Sequence, residues 1–295
     1  MVIAPNNAME DHGKPEISIV LGSLNRKRLL QETLRSVREN GFNGRMEIIV
    51  VDGGSADGTC DWLASQQDVL TFIQPNFKVI QLNGLRRRAH SWGEFMNLGF
   101  RAASAPWILM ISDDLILCRG AIQAAITLLH HQVDAEERIG GGAMYYREYP
   151  RDPSYHVKIL QGGVVHINHG FFAKSALEAV GYANETDFEF YGADGDLSIR
   201  LNLAGWKTIP LDGAFAEHLI HRTPLQRLVG RTNHPSSVYA DMETFKTRYQ
   251  HLGKPLENRK TIYWHDSALS ARTFWRLDPL ACCEGILRRC AGKHD

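Results

Sequence analysis

Two adjacent aspartates, Asp113 and Asp114, follow the apolar run Trp107-Ile108-Leu109-Met110-Ile111. A short, β-branched-rich run after Ala105-Pro106 reads as a buried strand of an α/β sheet. Carboxylates at its carboxyl end fall where open α/β sheets place their ligand crevice. Two charges side by side against a low-dielectric strand end are costly unless a cation shares the site. A hard divalent cation answers that need, and such a cation usually accompanies a phosphate. Taken alone, the pair also fits a solvated turn with a helix-capping Asp.

Two further apolar runs end in polar turns. Ile17-Ser18-Ile19-Val20-Leu21 passes into Gly22-Ser23-Leu24-Asn25, and Met46 to Val51 passes into Asp52-Gly53-Gly54-Ser55-Ala56-Asp57-Gly58-Thr59. In a parallel sheet these turns converge with Asp113-Asp114 on one edge. Neither a G-x-G-x-x-G nor a Walker A lysine pattern is present, so the expected pocket is not a dinucleotide or P-loop site. Asp52 suits accepting hydrogen bonds from a ribose or base edge; it equally suits capping its own turn.

The elements that must position these groups follow from periodicity. Leu30, Leu34 and Val37 share one face of a helix over 26–40 that Gly41 ends. Asp57 or Thr59 caps a short helix carrying Trp62 and Leu63. Strands are expected at 69–73, 77–82, 145–149, 164–173, 207–211 and 214–220. Helices are expected at 94–103, around Ile122, Ile126 and Leu129, and from Asp194 to Ala204 with Gly205 as the stop. Alternation of strand and helix predicts right-handed βαβ units, hence an α/β fold with a Rossmann-like mixed sheet, largely parallel and flanked by helices. The organisation expected is a polar tail over 1–15, an α/β domain over 16–225 and an extension over 226–295 packed on it.

Lys plus Arg and Asp plus Glu each number 33, which argues against a general nucleic-acid binder. No apolar stretch reaches the roughly 20 residues of a membrane span. The five cysteines form no C-x-x-C pair, so a reducing, cytoplasmic setting is expected, without a disulfide framework. Residues 268–290 could give weak peripheral contact with the cytoplasmic face of a membrane.

The motifs, taken in order, resemble family-2 glycosyltransferases of the GT-A fold. The family's opening P-T-Y-N-R turn stands here as Gly22-Ser23-Leu24-Asn25-Arg26, and its D-x-G-S-x-D-x-T turn as the segment from Asp52 to Thr59. Its N-x-G is Asn97-Leu98-Gly99, its D-x-D falls on Ser112-Asp113-Asp114, and its acidic motif on Ala193-Asp194-Gly195-Asp196-Leu197. His218 occupies the place of a later family histidine. The resemblance implies an inverting transfer of a sugar from a nucleotide-diphosphate donor, UDP- or dTDP-linked, to the hydroxyl of a saccharide or lipid-linked acceptor. It implies a nucleotide site of Gly22, Ser23, Asn25, Asp52, Gly53, Ser55 and Asp113. It implies Mn2+ or Mg2+ on Asp114 and His218, and Asp194 as general base.

Other roles are open on the residues alone. Asp194 could cap its helix, Asp196 suits a structural place at a helix start, and His218 could sit unligated. Arg86–Arg88 suits a solvated run or a diphosphate contact, and Trp92 and Trp206 suit core or acceptor-side packing. Leu24, Ser112 and Ala193 depart from the family's aromatic, Asp and Glu, which leaves the donor's identity open. An inactive nucleotide-sugar-binding protein and a sugar-phosphate nucleotidyltransferase are the competing functions. A glycoside hydrolase is disfavoured, because Asp194 and Asp196, two apart on one helix, cannot flank a bond.

Overall fold

The computed structural model describes residues 1–3, 13–76, 79–82, 85–134, 138–149, 152, 154–219 and 236–262. The chain begins with β1 (Val2–Ile3), β2 (Ile17–Ser23), α1 (Lys27–Arg38), β3 (Met46–Asp52), α2 (Thr59–Ala64) and β4 (Val69–Ile73). A hairpin of β5 (Val79–Leu82) and β6 (Leu85–Arg88) leads to α3 (Trp92–Ala102), β7 (Trp107–Ser112), β8 (Leu115–Leu117) and α4 (Ala121–Asp134). Then come β9 (Ile139–Tyr149), β10 (Tyr155–Lys158), β11 (Gly170–Ala173), α5 (Lys174–Ala179), α6 (Ala193–Leu203) and β12 (Lys207–Leu219). Helix α7 (Ser236–Tyr249) and β13 (Arg259–Ile262) complete the described elements.

One mixed sheet organises the molecule, in the order β1-β4-β3-β2-β7-β11-β9-β10-β13, with β12 joined to β8 and β9. Its centre, β4-β3-β2-β7, is parallel, and β11 and β10 enter antiparallel on the far flank. The chain runs outward from β2 through β3 to β4 and then returns to β7 on the other side of β2. This reversal is a topological switch point, and it opens a crevice beyond the carboxyl ends of β2 and β7. The expected α/β architecture is therefore present.

Local chemistry explains where elements start. Leu30, Leu34 and Val37 are fully buried, so α1 covers the sheet with the face its spacing predicts. Helix α3 starts at Trp92, ahead of the expected 94, because Ser91 and Glu94 form a reciprocal capping box. Gly99 permits α3 to lie on the sheet: a Cβ there would meet Val20 Cγ1 at 2.5 Å. Asn97 bonds both the N–H and the C=O of Ala183, tying α3 to the segment that leads into α6.

Several expected boundaries moved. The strand expected at 145–149 extends from Ile139, through three glycines that look like loop in the sequence. Each is glycine because a neighbour leaves no room for a Cβ: it would sit 2.7 Å from Trp206 Cβ at Gly140, 2.2 Å from Phe171 O of β11 at Gly141 and 2.5 Å from Leu211 Cδ2 at Gly142. Of the strand expected over 164–173, only Gly170–Ala173 pairs with β7 and β9. Before it Val165 makes an isolated antiparallel bridge to Ile159, the His166 N–H bonds Lys158 O and the Ile167 N–H bonds the Ser198 hydroxyl. The two strands expected at 207–211 and 214–220 are one strand with a register shift between Leu211 and Phe215. Within the expected polar tail, Val2–Ile3 pairs antiparallel with β4 at the sheet edge.

The described part of the extension packs on the domain. Phe245 and Tyr249 of α7 join Phe188, Ala193 and Ile199 in a second apolar cluster. At its heart Asp196, fully buried, accepts from Arg200 Nε at 2.7 Å, Arg248 Nη1 at 3.0 Å and Tyr249 Oη at 2.6 Å. Residues 226–235 and 263–295, including the segment expected to meet a membrane, lie outside the described residues. Replacing Asp196 by Ala should cost about 3 kcal/mol, because two guanidinium groups lose their shared buried carboxylate. Urea denaturation checks this, with an unchanged midpoint counting against the anchor.

Candidate active site

The carboxyl edge of β2, β3 and β7 gathers the polar turns. Strand register sets Gly22 beside Ser112 and Ser23 beside Asp52. Ser23 Oγ donates to Asp113 Oδ2 at 2.8 Å. Ser112 Oγ donates to Asp114 Oδ1 at 2.5 Å. The charge shared by the two aspartates is met by Arg26, whose Nη1 lies 3.0 Å from Asp113 Oδ1 and 2.7 Å from Asp114 Oδ2. Asp113 and Asp114 are 4% and 6% exposed. Burial pushes the Asp113 carboxyl up to about 6, and Asp114 adds to the rise against the pull of Arg26 and Ser23.

The first two turns are stapled together. The Asn25 N–H donates to Ser55 Oγ at 2.7 Å, the Ala56 N–H to Asn25 Oδ1 at 2.8 Å, and the Lys27 N–H to Asp57 Oδ2 at 2.9 Å. Asn25 holds φ at 54°, a left-handed turn position that Asn tolerates. Asp52 is fully buried and caps its own turn, accepting from the N–H groups of Gly54 and Ser55 and from the Ser55 hydroxyl. Cys60 Sγ also lies 3.2 Å from Asp52 Oδ1, and this carboxylate holds the thiol pKa up near 11 together with burial. Asn25, Asp52 and Ser55 therefore shape the edge, while Gly53 donates its N–H to Ser23 O at 2.8 Å.

His218 reaches this edge across the sheet. Strand β8 pairs antiparallel with β12, placing His218 opposite Leu115, and the Leu219 N–H donates to Asp114 O at 2.9 Å. His218 Nε2 thereby lies 3.3 Å from Asp114 Oδ1. Burial lowers the imidazole pKa, but the Asp114 contact more than offsets it and the net shift is upward. Its ring stands 5.2 Å from that of His169, which in turn stands 5.2 Å from Tyr146.

Asp194 approaches from the opposite side. It sits in the first turn of α6, whose cap position is Gly192, so Asp194 is not the N-cap. Its Oδ1 accepts the Gly195 N–H at 2.8 Å, and its Oδ2 lies 3.1 Å from His166 Nε2. The Asp194 side chain keeps 24% of its surface open. Desolvation pushes its carboxyl up, yet His166, the Gly195 amide and Lys158 together hold it below the ordinary value. Ser198 links the two segments, accepting from the Ile167 N–H and donating to Asp194 O. His169 joins this half to the other: its imidazole feels both Asp114 and Asp194, while burial and His218 depress its pKa to about 3. Asp114, His218 and Asp194 thus share one neighbourhood.

Other expected residues stand elsewhere. Trp206 packs on the core under the Arg138 guanidinium, and Trp92 packs between the two apolar clusters. Arg88 Nη1 donates to Asn76 O, and the side chains of Arg86 and Arg87 lie outside the described residues. Phe190 and Tyr191, 58% and 38% exposed with rings 5.2 Å apart, precede Asp194 by a few residues.

The sequence profile described as glycosyl transferase family 2 matches residues 18–172, just over half of the chain. The chain belongs to glycosyl transferase family 2. Solved structures agree with the fold of this family member. TarS 1–349 from S. aureus matches at TM-score 0.51 and 14% identity, over 69% of this chain and 60% of that one. TarS 1–349 in complex with UDP-GlcNAc matches at 0.55 and 13%, over 82% and 68%. The mannosyltransferase PcManGT from Pyrobaculum calidifontis, in complex with GDP-Man and Mn2+, matches at 0.53 and 16%, over 99% and 79%. The chain therefore spans less than two thirds of the first TarS chain. Comparison with curated protein sequences returns no match.

Periodicity alone missed four residues that the structure gathers around Asp114, His218 and Asp194: Tyr146, Lys158, His166 and His169. The signal was the pair His166-Ile167-Asn168-His169 inside an apolar run, read as strand because alternation was the stronger pattern. Arg26 stood in the opening motif without a role.

Two measurements test these electrostatics. The folded pKa of Asp113, about 6, exceeds the reference of 3.8, so its favourable contribution exists at low pH and is lost as pH rises through 6. Asp113→Asn should therefore raise Tm relative to wild type at pH 8, with the gap closing toward pH 4. An equal gap at both pH values contradicts the assignment. Replacing His166 by Ala should move the Asp194 pKa upward in a carboxyl NMR titration, since its largest opposing charge is gone; an unmoved titration removes His166 as the cause.

Proposed function

We propose that this glycosyltransferase moves a sugar from a nucleotide-diphosphate donor to an acceptor hydroxyl with inversion at the anomeric carbon. The observation that supports this is the approach of Asp114 and His218, 3.3 Å apart, with the part-open carboxylate of Asp194 acting on the same buried His169. TarS was solved with UDP-GlcNAc and PcManGT with GDP-Man and Mn2+, which supports a nucleotide-sugar donor and a divalent cation here. The donor we favour is UDP- or dTDP-linked, with its base and ribose over Gly22, Ser23, Asn25, Asp52, Gly53, Ser55 and Asp113.

Among the described residues, no three His, Cys, Asp or Glu side chains are disposed to hold a metal by themselves. Asp114 and His218 supply two donors, which suits a cation that completes its shell from phosphate oxygens and water. Mn2+ or Mg2+ so held would neutralise the charge that builds on the diphosphate as the sugar leaves. Asp194 takes the proton of the acceptor hydroxyl as that oxygen attacks. The open side of Asp194 faces the acceptor in this scheme, and its bonds to Gly195 and His166 fix the carboxylate's orientation. Phe190 and Tyr191 offer exposed rings for a saccharide or lipid-linked acceptor. No helix among the described residues is long and apolar enough to cross a membrane; a cytoplasmic setting is proposed on the cysteine pattern.

Asp194→Asn should lower transfer by roughly 10²–10⁴-fold while leaving nucleotide binding intact. Retained transfer removes Asp194 as base, and lost binding as well points to a folding defect. A thermal-shift screen of nucleotide sugars with and without Mn2+ names donor and cation together. Cation binding should weaken as pH falls through the raised pKa of His218, because a protonated imidazole cannot ligate. A pH-independent affinity takes His218 out of the ligand set.

A further inference from the structure

We propose that Arg26 is the built-in counter-cation of the aspartate pair, and that a divalent cation and the Arg26 guanidinium exclude one another at Asp114. The proposal rests on the metal reading above and adds a residue that controls when the metal can enter. A single nitrogen, Nη1, is shared between Asp113 Oδ1 at 3.0 Å and Asp114 Oδ2 at 2.7 Å. Both aspartates are almost wholly buried, and their other oxygens are engaged by the Ser23 and Ser112 hydroxyls. A cation bound to Asp114 at the ordinary 2.0–2.6 Å would stand beside that nitrogen on the same carboxylate. Two positive charges so close in a poorly solvated crevice repel strongly.

The anchoring of Arg26 suits an exchange. Its backbone is fixed at the start of α1: its carbonyl accepts from the N–H groups of Leu29 and Leu30. The preceding residue, Asn25, is stapled to the second turn. Beyond this fixed base the side chain is 42% exposed, and among the described residues its hydrogen bonds run to Asp113 and Asp114 alone, through Nη1. Nε and Nη2 are left as donors. A planar guanidinium with donors in reserve is matched to phosphate oxygens. When the donor's diphosphate arrives with its cation, the diphosphate gives Arg26 a replacement anion and the cation takes over Asp114. Donor and cation are then expected to bind together better than either does alone, a positive coupling.

The test uses the full chain and Mn2+ alone, followed by calorimetry or by Mn2+ EPR, with no nucleotide present. Arg26→Gln should bind Mn2+ on the order of tenfold more tightly than wild type, the size of a typical coupling. Arg26→Met, which keeps the apolar stem, should do the same and covers the case in which the glutamine variant folds poorly. Arg119→Gln removes an exposed charge in the turn between β8 and α4 and should leave the affinity unchanged. With a nucleoside diphosphate present, the gain should shrink or reverse, because the diphosphate has lost its guanidinium partner. Mn2+ affinity in both Arg26 variants equal to or below wild type overturns the proposal, as does an equal gain in Arg119→Gln. Asp114→Asn separates the two failures: Mn2+ binding that survives this change sinks the metal site itself, whereas lost binding together with unaltered Arg26 variants sinks only the exchange.

Discussion

The structure depends on neutralising two adjacent carboxylates that the fold buries at a topological switch point. Strands β2 and β7 bring Ser23 and Ser112 to hydroxyl distance of Asp113 and Asp114, and the α1 start brings Arg26 between them. Without these partners the desolvation of the pair would oppose folding, since a buried carboxylate either finds a counter-charge or gives up its ionisation. Asp113 records the compromise: even with Arg26 beside it, burial and Asp114 keep its pKa high. A group destabilised in this way gains from any cation or hydrogen-bond donor that arrives, which is how a binding site differs from a satisfied core.

The opposite wall carries a carboxylate pulled the other way. Asp194 is held ionised by His166, the Gly195 amide and Lys158, although burial opposes this. Two acidic centres thus have environments that separate their proton affinities, an arrangement that suits the transfer proposed above. Between them His169 stays neutral, because burial and the neighbouring His218 depress its pKa. Its two ring nitrogens are buried without hydrogen-bond partners among the described residues, a polar surface kept inside the site.

Many motif residues serve the frame as well as the site. Asp52 saturates its own turn, and Asn25 and Ser55 bolt two turns together. Asn97 and Gly99 let α3 dock and reach the segment before α6, and Asp196 anchors α7. Such dual use explains how a family fold persists at 13–16% identity to the solved structures compared above. The polar turns are structural joints at the edge where the proposed donor site lies.

What the amino-acid sequence determined by itself was the local grammar. Short β-branched runs, a 3.6-residue apolar period in α1 and turn residues after each strand were enough for the α/β class, and the ordered motifs supplied the resemblance to the family. The order of the motifs also singled out Asp113, Asp114, Asp194 and His218, because each stands at an element end that periodicity reveals. Tertiary structure decided everything that depends on pairing between distant segments. The three glycines of β9 look like a loop until Trp206, Phe171 and Leu211 are seen packed against them, and the 164–173 run looks like one strand until its first half is seen bonded to Lys158 O and the Ser198 hydroxyl. Arg26 and Asp114 are 88 residues apart, and no local pattern encodes a contact formed by strand order. Sequence spacing carries conformational preference over a few residues; charge compensation is set by distance in space, and only the folded sheet supplies that.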